Sequence, residues 1–463
     1  MLIDRLKDEF RSAEAAIDGG PIYPEASVAE IRELLARYDF RRAVPLEQAA
    51  ADVEQMLRRW QVQVTHPRYF GLFNPSVRLA SVVADALAAT YNPQLAAWRT
   101  SPAAIEIERH TLAWLADKFG LPDETAASFT GGGAEANLSA VVAALTQAFP
   151  NFDEKGLRGL PNAPVFYISA EAHHSFSKIA HMTGLGRDAL RTIPASIDLK
   201  MNVSALAAKV AQDRQRGFAP FLVVGTAGTT AAGAIDPLPE LARFCREEKL
   251  WFHVDAAWGG AAIVSPALRA HLSGIEHADS ITCDAHKWFS VAMGCGMFFC
   301  RRPETVARAF RAEASYMPEK ADAETCDPYT HSVQWSRRFA GLKLFLTLAE
   351  LGEEGQAKAI EHQARLGNRL RERLAASNWT IVNQTPLPLV CFTREGLDVS
   401  SFLAGLREGQ IAWMSEAGVA GASVVRACIT SFKTTEEDID QVVRQITRLA
   451  EEQRTGRLAA AEA

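Results

Sequence analysis

The chain has 463 residues, 48% hydrophobic and 22% charged, the balance of a folded globular protein with more than one core rather than of a disordered or fibrous chain. Its formal net charge of −6 offers nucleic-acid phosphates no basic surface, so no such partner is expected. Seven cysteines, an odd number with no C-x-x-C pair, point to reduced thiols and to no zinc or redox motif.

The N-terminus MLIDRLKDEFRSAEAAI has charges at helical spacing and lacks the apolar stretch of a signal peptide. No window holds the ~18 uninterrupted apolar residues of a membrane span. A cytoplasmic protein with no membrane contact is the expectation. From Met1 to about Gln63 the apolar spacing predicts three amphipathic helices separated by GGPIYPE and DFRRAVP. Such helices cannot bury their stripes alone, so they must lie on the main domain or on a partner subunit. After the loop THPRYFGLFNP, the pattern is helical through SVRLASVVADALAATYN and AAIEIERHTLAWLADKFG.

From Ser128 onward, short β-branched or aromatic runs (PVFYISA, FLVVGTAGTT, LWFHVDA, GMFFCR) alternate with helical stretches. This alternation predicts βαβ units and a mostly parallel sheet covered by helices. A long helical pattern near 340–351 leads out of that domain. The rest mixes the helix AIEHQARLGNRLRERLAAS with the strands WTIVNQ, LPLVCFTRE and SVVRACI and a closing helix after TTEEDID. The expected division is an N-terminal helical segment at 1–85 packing on the partner subunit, an α/β large domain at 86–350 and a small α+β domain at 351–463.

Three segments carry chemistry. In HVDAAWGG and ADSITCDAHKW, Asp255 ends one strand and Lys287 follows the next. Ligands of parallel α/β sheets bind beyond the carboxyl ends of the strands, so both side chains reach one crevice. A reactive lysine can form a Schiff base, and a carboxylate keeps a pyridine nitrogen protonated as an electron sink. A solvated ion pair is the plainer alternative, but His286 and Trp288 flank the lysine and a nearly charge-free strand precedes the aspartate. In SFTGGGAEANL, glycines open into a helix whose free N–H groups suit a phosphate, although a tight turn needs the same glycines. In EAHHSFSKIA, His173 and His174 follow a strand, where an imidazole can stack on a ring or move protons; the sequence does not choose between them.

TGGGAEANL, EAHHS, GTAGTT, HVDAAWGG and DAHKW, in this order, resemble the group II pyridoxal-phosphate (PLP) dependent amino-acid decarboxylases, which include the aromatic-L-amino-acid and glutamate decarboxylases. The resemblance implies PLP fold type I, a homodimer and release of CO₂ from an L-amino acid to leave the amine. It implies that Lys287 holds PLP, Asp255 faces the ring nitrogen, His173 stacks on the ring and Ala257 packs on its other face. Thr226 is then near the 3′-oxygen, Gly133 and Ala134 form the phosphate turn, and His286 stands beside the phosphate. The turn here is GGGA where the family often has serines, so binding there falls to backbone N–H groups. Asp284 stands where many members have asparagine, and a carboxylate near a phosphate is unfavourable; Asp284 is therefore expected to point elsewhere or to hold His286.

EKADAETCDPYTHSVQWSRRF resembles the family's mobile loop, with Tyr329 within one position of its catalytic tyrosine, to which the resemblance assigns the proton donation. In aldehyde-forming relatives that tyrosine is replaced. Tyr69, Phe70, Phe73 and Trp98 fall in segments resembling the substrate pocket, which favours an aromatic or bulky substrate, although each can equally be core. Arg99, facing the pocket, would instead favour an acidic one. An aminotransferase of the same fold, an oxidative aldehyde synthase and a non-catalytic scaffold are the rival readings.

Overall fold

A computed structural model describes residues 2–74, 76–312, 316–317 and 325–462. Residues 319–324 of the expected mobile loop lie outside this set. Three helices open the chain: α1 (Leu2–Asp18), α2 (Val28–Leu35) and α3 (Leu46–Trp60). Neither α2 nor α3 has a fully buried residue, and Val28, Leu35, Leu46, Val53 and Leu57 are exposed. Helix α4 (Leu79–Tyr91) packs against the long helix Leu342–Ala376, so the expected boundary at 85/86 falls inside a helix that belongs with the large domain. Helix α5 (Pro102–Lys118) follows.

The large domain is built on seven strands: β1 (Ala126–Thr130), β2 (Pro164–Ser169), β3 (Leu190–Ile193), β4 (Ala219–Thr226), β5 (Trp251–Asp255), β6 (Ser280–Asp284) and β7 (Gly296–Cys300). Their order in the sheet is β1-β7-β6-β5-β4-β2-β3. Strands β6, β5, β4, β2 and β3 pair in parallel, whereas β7 is antiparallel to both neighbours. This is the expected mostly parallel α/β sheet. Its central strands are buried on both faces and therefore read as continuous apolar runs. Strand β3, LRTI, escaped the sequence reading because its half-buried arginine and exposed threonine break the apolar run.

Helix α6 (Gly133–Ala148) crosses one face of the sheet with Ala136, Ala140, Val141 and Ala144 buried against Phe166, Leu222, Val224 and Trp251. Small residues on that stripe bring the helix axis close to the strands. The helix Leu342–Ala376 breaks at Gly352, whose φ of 65° and ψ of 173° are not helical, and then enters the small domain. There β8 (Thr380–Ile381), β9 (Leu389–Thr393), β10 (Ser415–Val419) and β11 (Ala422–Cys428) form an antiparallel sheet in the order β10-β11-β9-β8. Strand β10, SEAGV, carries no apolar alternation. It forms because Ala420 and Gly421, both at positive φ, turn the chain back onto β11.

The stretch before α4 is tied into the small domain: Phe70 N–H donates to Trp413 O (2.9 Å) and Cys428 N–H to Phe70 O (2.9 Å). The far end of the expected loop is pinned to the large domain by a buried ion pair, Arg337 Nη2 to Glu108 Oε2 at 3.2 Å, while Glu108 Oε1 accepts from Gly341 N–H at 3.0 Å. No helix among the described residues is long and apolar enough to cross a membrane. None of the seven cysteines is in a disulfide.

Two buried histidines set an acid limit on stability. Burial pushes His66 and His253 down to about 4 from the ordinary 6.5. Both bind fewer protons folded than unfolded, so their contribution is complete above about pH 6.5 and is lost as pH falls toward 4, at up to about 1.4 kcal/mol per pH unit for each. Asp236, raised to about 6, and Glu108 and Glu171, also raised by burial, act with the opposite sign, while His173 and His286, lowered by burial, add to the histidine side. Denaturant titrations of the cofactor-free protein are expected to show falling stability from pH 6.5 to 4; a flat profile contradicts this assignment.

Candidate active site

The register of the sheet assembles the site. Thr226 and Asp255 are cross-strand partners at the carboxyl ends of β4 and β5, and Asp255 is in turn the partner of Thr282 on β6. Strand β6 ends at Asp284, and the turn that follows, with Lys287 N–H donating to Asp284 O (3.2 Å), carries His286 and Lys287 back over the strand ends. A cavity of about 260 Å³ opens there. It is lined by Lys287, Asp255, Thr226, His173, Ala257 and His286, by Gly133 and Ala134 at the start of α6, and by Phe73. All eight residues expected to hold the cofactor therefore converge on one space.

Asp255 is 5% exposed and both its oxygens are engaged: Oδ1 accepts from Ala257 N–H (3.1 Å) and Oδ2 from Asn137 Nδ2 (2.9 Å). A buried carboxylate costs several kcal/mol unless hydrogen-bonded, so these donors are what allow it there. Thr226 N–H donates to buried Asp236 Oδ2 (2.8 Å), which fixes the end of β4. The Thr226 hydroxyl is buried with no partner among the described residues. Burial lowers the pKa of His286, and its Nδ1 accepts from Cys295 N–H (3.2 Å), so the imidazole is held neutral. Nδ1 of His173 accepts from Ser175 N–H (3.2 Å), orienting a ring that is still open to solvent in the single chain.

No side chain caps α6, so its leading N–H groups face the cavity without a competitor. Gly133 is closely packed: a Cβ there would lie 3.0 Å from Asp284 Oδ2 and 3.1 Å from Ala257 Cβ, so a larger side chain would crowd both. Asp284 corrects an expectation. It points neither away from the glycine turn nor chiefly to His286, which is 3.8 Å off, but into the cavity, with Oδ2 3.1 Å from Lys287 Nζ. The amine three residues on is the nearer and stronger partner of a buried carboxylate.

The other expected residues are dispersed. Phe73 lines the cavity, stacked on Trp258 with ring centres 4.5 Å apart. Phe70 is fully buried in the small-domain core, and Tyr69 packs on Trp413 at 5.1 Å; neither lines the cavity. Trp98 packs near Leu95 and Ile105 and donates Nε1–H to Glu106 Oε1 (2.7 Å), and Arg99 is exposed. Tyr329 is half-buried outside the cavity lining, its ring 4.7 Å from Trp335 and its N–H on Ala96 O (3.1 Å).

Three residues that matter were not singled out in the sequence. Asn137 lies four residues after Gly133 and so on the same face of α6, a spacing that marks it. His253 shares a strand face with Asp255 by the two-residue period. Arg426 of β11 left no such signal. Its Nε donates to Thr230 O (2.8 Å) and Nη1 to Gly71 O (2.7 Å), its guanidinium is 5.0 Å from the Phe73 ring centre, and Nη2 is buried with no partner among the described residues.

A lysine, a doubly bonded carboxylate and an unpartnered hydroxyl beneath a glycine turn, at the carboxyl ends of parallel strands, define a PLP site of fold type I. The orphan Thr226 hydroxyl and the uncapped helix start fit that cofactor's oxygen and phosphate. Residues 31–395 match the family model described as the pyridoxal-dependent decarboxylase conserved domain, and the chain belongs to this family. It is 31% identical to an aromatic-L-amino-acid decarboxylase of Bacillus atrophaeus over 84% of this chain and 82% of that one. It is likewise 31% identical to an L-2,4-diaminobutyrate decarboxylase of Acinetobacter baumannii, over 80% and 75%. The crystal structure of mouse CSAD superposes with a TM-score of 0.87 at 25% identity, covering 94% of each chain. That of Oryza sativa TDC with PLP and tryptamine reaches 0.91 at 23% identity, over 98% and 96%, a likeness of fold. The chain is thus a PLP-dependent amino-acid decarboxylase.

Two substitutions test the fit. Thr226→Val should weaken PLP binding roughly fivefold, the scale of one hydrogen bond, and Gly133→Val should prevent it, both read by titrating apoprotein and following cofactor absorbance. Unchanged affinity in both would remove these residues from the cofactor site.

Proposed function

We propose that the substrate is an L-amino acid with an aromatic or otherwise bulky side chain, and that the observation carrying this is the Phe73–Trp258 stack on the wall of the cavity that holds Lys287. A flat apolar wall suits a ring and offers no hydrogen-bond partner to an anionic side chain. The similarity to an aromatic-L-amino-acid decarboxylase supports the same reading, as does the exposure of Arg99 away from the cavity.

PLP, when bound, supplies the electron sink that takes the bonding pair left by the departing carboxylate. The chain's own residues then have separable tasks. Lys287 would hold the cofactor through Nζ, and Asp284, whose Oδ2 is 3.1 Å from that nitrogen, would be its counter-ion whenever the amine is free and protonated. Asp255 would face the ring nitrogen and favour its protonated form. His173 would cover one ring face and Ala257 the other. Tyr329 would carry the proton to the substrate's Cα from its Oη, at an active site near the subunit interface of a homodimer. The bare apolar faces of α2 and α3 support such a dimer, since helices of this kind need a surface to cover.

A second reading rests on Arg426. Its unpartnered Nη2 beside Phe73 would pair with a carboxylate, and a side-chain carboxylate would make the substrate acidic.

Screening the L-amino acids for CO₂ release with added PLP separates the two: aromatic substrates should lead, and a clear preference for glutamate, aspartate or cysteine sulfinate, lost in Arg426→Gln, would replace this proposal with the second. Lys287→Ala should abolish both turnover and the borohydride-reducible chromophore. Tyr329→Phe should divert product from amine to aldehyde, ammonia and peroxide, and an unchanged amine yield would refute the role of Tyr329. Light scattering should give twice the chain mass; a monomer at micromolar concentration would reject the dimer.

A further inference from the structure

Behind Asp255 runs a chain of buried hydrogen bonds that the assembly of the cofactor site does not by itself require. Trp251, His253 and Asp255 alternate onto one face of β5, the face covered by α6. His253 is the cross-strand partner of Ser280. Trp251 Nε1 donates to Ser280 Oγ (2.9 Å), Ser280 Oγ lies 2.9 Å from His253 Nδ1, His253 Nε2 lies 3.0 Å from Asn137 Oδ1, and Asn137 Nδ2 donates to Asp255 Oδ2 (2.9 Å). Asn137 is 1% exposed and His253 and Ser280 are fully buried, so water does not compete for these bonds.

The chemistry of each group sets the direction of the chain. An indole N–H only donates, so Ser280 Oγ accepts there and spends its one proton on His253 Nδ1. Burial keeps His253 neutral, with a pKa near 4, so its single proton sits on Nε2 and goes to Asn137 Oδ1. The amide's N–H₂ end is thereby turned to Asp255. The other tautomer would give Nδ1–H to the Ser280 carbonyl, 3.1 Å away, but would set the Nε2 lone pair against Asn137 Oδ1. Flipping the amide to relieve that would set its oxygen against the carboxylate. The Nε2–H tautomer satisfies Ser280, Asn137 and Asp255 together, whereas the other leaves Asn137 Oδ1 facing a lone pair even if the Thr282 hydroxyl, 3.5 Å away, donates to Nε2, and the favoured arrangement ends on an acceptor.

We propose that Asn137 and His253 are positioning residues that lock Asp255 as an acceptor-only carboxylate aimed at the cofactor's ring nitrogen, and so hold that nitrogen protonated. Helix α6 thus serves both ends of the cofactor: its first turn faces the phosphate and Asn137, one turn on, acts through Asp255 on the ring. The proposal deepens the PLP reading and rests on it.

The test is the ring-nitrogen resonance of bound PLP labelled with nitrogen-15, a readout that loss of fold or of affinity does not mimic, together with kcat and KM. The unsubstituted chain should show a pyridinium. Asn137→Leu and His253→Leu should move the signal toward neutral pyridine and lower kcat by about tenfold or more, the scale of one hydrogen bond to a charged group, with KM changed little. His253→Gln, which keeps an N–H to offer Asn137, should retain the pyridinium. A pyridinium that persists in both leucine variants, with kcat within about twofold of the original, overturns the relay and leaves the PLP site standing. A neutral nitrogen in the unsubstituted chain instead removes Asp255 from its place, and the relay falls with it. Should Asn137→Leu not fold, the two His253 variants decide by the same criterion.

Discussion

A carboxylate buried at the end of a central strand is the constraint around which this molecule is arranged. Asp255 is nearly inaccessible to water, and it is tolerable there only because Ala257 N–H and Asn137 Nδ2 replace the water it has lost. Both donors are products of tertiary structure. Ala257 offers its N–H because the chain turns sharply after β5, and Asn137 arrives because α6, with its stripe of alanines, packs close against that face of the sheet. A bulkier stripe would lift the helix and leave one oxygen unpaired.

The same close approach explains the glycines. Gly133 and Gly296 lie where β7, the start of α6 and the Asp284 side chain meet: a Cβ on Gly296 would come within 2.6 Å of Gly132 Cα and 2.7 Å of Asp284 Oδ1. The resulting cleft holds a lysine, two carboxylates and two imidazoles within a few residues of one another. Asp284 is the member whose position differs from the expectation drawn from the sequence. Its pairing with Lys287 at 3.1 Å gives the lysine a counter-ion within the cavity, and it brings a negative charge to the edge of the phosphate turn.

Around this centre the architecture grades from rigid to unfinished. The sheet, α6 and the buried Arg337–Glu108 pair are fully packed, and the far end of the 325–341 segment is fastened through that pair and through Gln334 Nε2, which donates to Glu135 Oε2 (2.9 Å) beside the glycine turn. Tyr329, Trp98 and Arg99 stand off the cavity of their own chain. Helices α2 and α3 have apolar faces with no fully buried residue. Those two helices therefore leave an apolar surface that the described residues of this chain do not cover.

Most of the sheet, and several residues on its carboxyl edge, could be read along the chain. Buried parallel strands must be continuous apolar runs, and ligand-binding side chains must follow such runs directly, so Asp255, Lys287, the His173–His174 pair and the glycine turn were legible from position, whereas the choice of His173 and the place of Thr226 came from the family resemblance. Only the tertiary structure decided the contacts between elements distant in the chain. Phe70 and Phe73, three residues apart in an aromatic segment, divide between the small-domain core and the cavity wall because Phe70 bonds across to Trp413 and Cys428. Arg426 reaches Phe73 from a strand more than 350 residues on, and Asp284 turns toward Lys287 although its charge argued against the phosphate edge. Asn137 and His253 show where the line falls: helical and strand periodicity placed each on the right face, but whether those two faces would meet over Asp255 depended on packing, which no local period encodes.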